Sequence, residues 1–168
     1  MFMMRLGPAG RERPVVRVDE RHYVDVSDTV DDFDESFFGG DGVDRLRDLL
    51  DGPTSPPRHE FGDERIGPPI ARPHQIVCVG LNYSDHAAET GMDVPEEPIL
   101  FNKAPNTLIG PNDDVRIPRG SRATDWEVEL GIVIGQRTSY TADLDDAADK
   151  IRTSKTLAEG VEKMTKIA

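Results

Sequence analysis

Two glutamates separated by one residue are the first candidates for chemistry. They lie in Asp125-Trp126-Glu127-Val128-Glu129-Leu130-Gly131-Ile132-Val133-Ile134. A β-strand sends residues i and i+2 to the same face. Glu127 and Glu129 then share one face, and Trp126, Val128 and Leu130 point the other way. Two adjacent carboxylates repel, and burying either is costly. A hard divalent cation relieves both problems, because Mg²⁺ takes carboxylate oxygens in octahedral geometry. The ordinary alternative is a solvated strand face that carries two acids. The run Gly131 to Ile134 is apolar on both faces and points to a buried strand.

His86 and Glu89 form the second constellation, in Asn82-Tyr83-Ser84-Asp85-His86-Ala87-Ala88-Glu89. On a helical turn i and i+3 are neighbours. A carboxylate beside an imidazole raises its basicity and fixes its orientation, which suits a general base. The competing reading is a surface helix start with Ser84 or Asp85 as cap. Lys103 ends an apolar run and could offer a point charge to an acidic substrate; a solvated strand end is the equal alternative. Cys78 sits inside an apolar run and reads as a small core residue. His22, His59 and His74 show no partner spacing. Gly39-Gly40-Asp41-Gly42 lacks the lysine and the strand–turn–helix context of a phosphate loop.

The elements that must position these residues are legible in outline. Pro14 to Val18 and His22 to Val26 are short β-rich runs around a charged turn, predicting a hairpin. Asp31 to Gly42 reads as an acidic, Gly-ended loop. Val43, Leu46, Leu49 and Leu50 recur at helical spacing, and Asp51-Gly52-Pro53 stops that helix. Residues 53–73 hold six prolines and read as a linker or extended crossing segment. Gln75 to Gly80, Pro98 to Lys103, Val115 to Ile117 and Trp126 to Ile134 are four strand candidates. Residues 141–168 read as helix, with Leu144, Ala147, Ala148 and Ile151 on one face.

Composition bounds the answer. The chain has 168 residues, 36% hydrophobic and 31% charged, with 32 acids against 20 bases and a net charge of −12. That balance argues against nucleic acid as a partner, since phosphate contacts need clustered Lys and Arg, and against anionic membranes. No apolar run approaches the roughly 18 residues needed to span a bilayer. The opening MFMMRLGPAG is too short and too Gly/Pro-broken for a signal peptide. A single cysteine excludes an internal disulfide framework, so a reduced, cytoplasmic location is expected. Four of the five lysines fall after residue 149, and no arginine follows Arg152. Scarce lysine and abundant acid fit either a halophilic host or a GC-rich coding bias.

Taken in order, the blocks Ile76 to Tyr83, His86 with Glu89, Pro98 to Lys103, Gly110-Pro111 and Asp125 to Leu130 resemble the fumarylacetoacetate hydrolase family. The resemblance covers residues 74–140, and residues 1–70 are similar to the small N-terminal domain that many members carry. It implies an α+β, strand-rich fold: a mixed β-roll over residues 71–168, incomplete at its C-terminus, behind an N-terminal domain over 1–70. It implies Mg²⁺ or Mn²⁺ bound through carboxylates, with Glu127 and Glu129 as two ligands. His86 and Glu89 match the pair that activates water or moves a proton, and Asn82, Tyr83 and Lys103 match the substrate pocket. The implied substrates are small oxo-acids: acylpyruvates and related β-diketo acids for hydrolysis, oxaloacetate-like acids for decarboxylation, hydroxymuconate-type dienoates for isomerisation. Full-length members are expected to be homodimers.

One departure stands out. The family continues past residue 150 into an Asn-Asp-Val-Ser-like block that supplies a third metal carboxylate, and then a second lysine. Residues 150–168 instead turn Lys-rich and match nothing expected. The chain is therefore expected to be a truncated or frame-shifted product, or a fragment whose partner is encoded separately. It is expected to be inactive or nearly so. A non-catalytic acidic fragment serving as an interaction subunit is the alternative from another class.

Overall fold

A computed structural model describes residues 1–83, 91, 93, 95–135, 137–140 and 164–166. The chain divides into two compact units. One joins Met1–Ala71 to Ile109–Ala168, and the other is Arg72–Leu108.

The first unit is built on four antiparallel strands in sequence order: β1 (Phe2–Leu6), β2 (Arg13–Arg17), β3 (His22–Asp25) and β4 (Arg58–Glu60). Alternation along these strands makes two cores, one on each face. Met3 lies opposite Val16, and Val16 opposite Val24. That row packs with Val26, Val30, Phe33, Phe37, Phe38 and Leu46. On the other face Met4, Leu6, Val15 and Tyr23 form the second cluster, edged by Phe61 and Ile66. The turn from β1 to β2 uses Gly7 at φ 126° and Gly10 at φ 77°, a region L side chains rarely enter.

Two helices cover the first face. α1 (Glu35–Gly39) is short and lies where a loop was expected. The Asp34 carboxylate accepts the Ser36 and Phe37 backbone N–H groups at 3.0 and 3.2 Å, capping the first turn. Phe37 and Phe38 then reach the core, and the cap together with these rings overrides the acidic, Gly-ended composition. α2 (Gly42–Asp51) follows the expected spacing, burying Leu46 and ending at Gly52.

Of the two readings for residues 53–73, linker or extended crossing segment, the structure has the second. β4 is an edge strand of exposed, charged residues, which discourages further strand addition. Beyond it, Ile66 bridges to Leu6; Gly7 N–H donates to the Arg65 carbonyl at 2.9 Å, and Gly67 N–H donates to the Arg5 carbonyl at 2.7 Å. The prolines of this stretch fit because it pairs through isolated bonds, not a full ladder. Residues 2–6, left unassigned by sequence, are the strand it pairs with.

The second unit is an antiparallel hairpin of β5 (Ile76–Gly80) and β6 (Ile99–Lys103), both at expected positions. Gln75 Nε2 donates to Asn102 Oδ1 at 3.0 Å across the pair. Val77, Val79, Ile99, Leu100 and Phe101 are all exposed, so both faces of this hairpin offer apolar surface.

Returning to the first unit, two expected strands are cut back. Val115 to Ile117 forms no ladder, and Pro118 follows it without an N–H to donate. The strongest candidate is regular only over β7 (Asp125–Glu127), which pairs antiparallel with β8 (Met164–Lys166). Residues 164–166 are therefore strand where helix was expected; the rest of that expected helix, with Leu144, Ala147, Ala148 and Ile151, lies outside the described residues. No helix among the described residues is long and apolar enough to cross a membrane.

Candidate metal and substrate site

Glu127 is the last residue of β7, and its side chain is half-buried. From Val128 to Val133 the chain runs on without ladder bonds, yet exposure keeps a period of two. Glu127, Glu129, Gly131 and Val133 are half-buried, while Trp126, Val128, Leu130, Ile132 and Ile134 are 49–68% exposed. The two carboxylates thus share the shielded side of one extended segment, and the apolar side chains face outward. This corrects the expectation of a strand buried on both faces: of the terminal run, only Val133 meets the core.

The donor type fits a hard divalent ion, since both side chains offer carboxylate oxygens from neighbouring positions. The count is two. Among the described residues no group of three or more His, Cys, Asp or Glu side chains is arranged to hold a metal. Glu127 and Glu129 are the residues that would hold such an ion.

The remaining candidates lie in the second unit. Leu81, immediately after β5, has φ 50°, a left-handed conformation that costs a non-glycine residue roughly 1–2 kcal/mol. It turns the chain into Asn82 and Tyr83, both exposed. Lys103 is half-buried at the last position of β6, opposite Ile76, whereas Gly80 pairs with Ile99. The ladder therefore separates Lys103 from the strand end that leads to Asn82 and Tyr83 by roughly 13 Å, at about 3.3 Å per residue. His86 and Glu89 lie outside the described residues. Cys78 is half-buried within β5.

A set of charged residues that sequence reasoning missed fastens the first unit. Arg5 is 5% exposed. Its Nε and Nη2 donate to the two Asp32 carboxylate oxygens at 2.7 and 2.9 Å, and Nη2 also donates to Glu12 Oε2 at 3.4 Å. The other Glu12 oxygen accepts from Arg65 Nη1 at 2.7 Å. Arg65 in turn grips Asp113 with two bonds, the Nε one at 2.7 Å. Asp32, Arg5, Glu12, Arg65 and Asp113 thus alternate in sign along one chain of contacts. Burial pushes the Glu12 carboxyl up, but the Arg65 hydrogen bond, backbone N–H groups and the Arg5 charge together hold it below its ordinary value. The Arg65 hydrogen bonds hold Asp113 below its ordinary value too, despite desolvation. Partners 27, 48 and 53 positions apart leave no local spacing to find.

Asp113 also closes the Gly110–Asp113 turn. Its Oδ2 accepts Gly110 N–H at 2.8 Å, and its own N–H donates to the Gly110 carbonyl at 3.1 Å. Gly110 is buried against the Ile66 carbonyl, and a Cβ there would collide with that oxygen.

Residues 75–161 match the sequence model of the family described as fumarylacetoacetate (FAA) hydrolase, C-terminal. A Burkholderia multivorans protein named "Putative hydrolase" is 44% identical over 135 residues, covering 80% of this chain and 47% of that protein. A "Putative hydrolase" of Burkholderia ambifaria is 42% identical over 147 residues, covering 88% and 50%. Among solved structures, a fumarylacetoacetate hydrolase from the psychrophile Exiguobacterium antarcticum superposes with a TM-score of 0.61 at 26% identity, covering 89% of this chain and 52% of that one. A "putative HpcE protein" from Mycobacterium smegmatis gives 0.62 at 29% identity, with the same coverage. The chain belongs to the fumarylacetoacetate hydrolase family, and its strand-rich α and β fold is shared with these structures. Enzymes of this family generally depend on a divalent metal. The chain spans about half the length of the curated relatives it matches.

Proposed function

We propose that this chain carries part of the active site of a divalent-metal-dependent enzyme acting on small oxo-acids. Its reaction is C–C hydrolysis of acylpyruvate or fumarylacetoacetate-like substrates, or decarboxylation or isomerisation of related dienoates. The observation that carries this reading is the pair Glu127 and Glu129, held on the shielded side of one segment inside the family match. We take residues 71–168 as part of a mixed β-roll, incomplete at its C-terminus, and the working protein as a cytoplasmic homodimer using Mg²⁺ or Mn²⁺.

When bound, the metal supplies Lewis-acid polarisation of a substrate carbonyl. The chain's own residues do the rest. Glu127 and Glu129 would hold the ion and offset its charge. His86 takes a proton from water or from substrate carbon, and Glu89 holds its ring and stabilises the imidazolium. Lys103 presents a cation to the substrate carboxylate, and Asn82 and Tyr83, roughly 13 Å away along the ladder, offer hydrogen bonds toward the other end of the substrate.

The test is purified protein with acylpyruvate, oxaloacetate or a hydroxymuconate, with Mg²⁺ or Mn²⁺ and with chelator. We take this chain alone to be inactive or nearly so; metal-stimulated turnover that is lost in Glu127→Ala supports the metal reading and overturns that inactivity. Turnover indifferent to both metal and substitution contradicts it. A second reading, a non-catalytic interaction subunit, is favoured by the outward apolar row from Trp126 to Ile134. Such a patch on a soluble chain marks a contact surface. Under that reading none of the substrates turns over and the row binds a complementary chain.

A further inference from the structure

We propose that the N-terminal module is a positioning part of the metal site, because it fastens the segment carrying Glu127 and Glu129 at both ends. This rests on the reading of those two glutamates as metal ligands. Upstream, the fastening is the Arg65 fork on Asp113, backed by Glu12 and the buried Arg5. Asp113 simultaneously closes the turn at Gly110, which sits too close to the Ile66 carbonyl for any side chain. The chain therefore leaves residue 113 from a fixed point on residues 65–66 of the module.

Downstream, the fastening is apolar. Val133 packs on the cluster of Met3, Val16, Val24, Phe33, Phe37, Phe38 and Leu46. Gly135 is buried, and its carbonyl lies 3.6 Å from where a Gly39 Cβ would stand at the end of α1. Because exposure alternates strictly from Trp126 to Ile134, seating Val133 on the core dictates which way Glu129 and Glu127 face. The two anchors, of unlike chemistry, bracket residues 114–132, which turn at Pro118–Ser121, pair with β8 over Asp125–Glu127 and lack ladder bonds between Val128 and Val133. Arg65 and Val133 are positioning residues in this account: they touch no reacting atom and act through the backbone that bears the carboxylates.

The experiment uses the whole chain and Mn²⁺ alone. Trp126 is its only tryptophan and adjoins Glu127. Bound paramagnetic Mn²⁺ quenches that indole, so the titration reads this site and not the acidic surface at large. Saturable quenching is expected in the wild type and none in Glu127→Ala. Arg65→Met is expected to weaken the midpoint about tenfold, the scale seen when groups that orient ligands are removed. Arg65→Lys, which keeps the charge beside Asp113 but not the fork, recovers part of it. Val133→Ser, which removes the apolar anchor at a half-buried position, weakens the midpoint similarly, while Val133→Ile leaves it within twofold. Val133 is only partly buried, so this pair tests the proposal even if Arg65→Met does not fold. Folded Arg65→Met and Val133→Ser proteins with midpoints within twofold of wild type overturn the positioning proposal alone. Quenching that survives in Glu127→Ala overturns the metal reading and the proposal with it.

Discussion

Replacing Arg5 by methionine isolates the energetics of the buried charge chain. The methionine keeps most of the apolar stem and removes only the guanidinium. The Arg5 side chain is 7% exposed, that of Glu12 4% and that of Asp32 12%. Removing one partner of a buried ionic set strands uncompensated charge, which costs about 3–5 kcal/mol. Against a total stability of roughly 5–15 kcal/mol, that is a large fraction. The sign with pH follows from Glu12. Its carboxyl lies below its ordinary value in the folded chain. Its contribution is therefore fully present above the unfolded-state pKa and is lost as pH falls through the folded one. In Arg5→Met one source of that depression is gone, so the Glu12 contribution shrinks and its loss begins at higher pH. Urea unfolding followed by far-UV circular dichroism, at pH 7 and in steps toward pH 3, measures both effects. A loss at pH 7 below about 1 kcal/mol, or an unchanged acid limb, refutes the view that this chain of charges holds the module together.

Three further outcomes follow from packing. Phe33 is fully buried and meets Phe37 edge-on at 5.0 Å, so Phe33→Ala is expected to cost about 3–5 kcal/mol in chemical denaturation; a cost under 1 contradicts the core described. Gly110→Ala forces a Cβ into the Ile66 carbonyl and is expected to lose about 1–3 kcal/mol, with faster hydrogen exchange at residues 110–113; unchanged exchange argues against the tight turn. Val128→Lys and Leu130→Lys replace outward side chains and are expected to shift stability by no more than about 0.5 kcal/mol while lowering binding of a hydrophobic dye; a large stability loss means these residues are covered in solution.

Local signals carried much of the fold. The hairpin of β2 and β3, helix α2 and the pair β5 and β6 each have their own periodicity and stop residues, and each forms where the residues predict. Signals that depend on the rest of the molecule were not legible. β1 has no alternating code because Met3, Met4, Arg5 and Leu6 are buried on both faces, the arginine only through Asp32 and Glu12. α1 hinges on a single capping aspartate inside an acidic stretch. The segment after Glu127 has the right alternation for a strand, but among the described residues it lacks a ladder partner beyond β8, and pairing cannot be read from one strand alone. For the site, spacing placed Glu127 and Glu129 on one side together, as the exposure pattern has them. Spacing could not show that the β5–β6 register holds Lys103 away from Asn82 and Tyr83.

Calorimetric titration of the purified chain with Mn²⁺, with and without oxalate as a mimic of a bidentate enolate, addresses the central claim most directly. Ligation by Glu127 and Glu129 predicts saturable binding that oxalate tightens and that Glu127→Ala and Glu129→Ala each abolish. Binding of equal strength in the wild type and both variants, unaffected by oxalate, contradicts it.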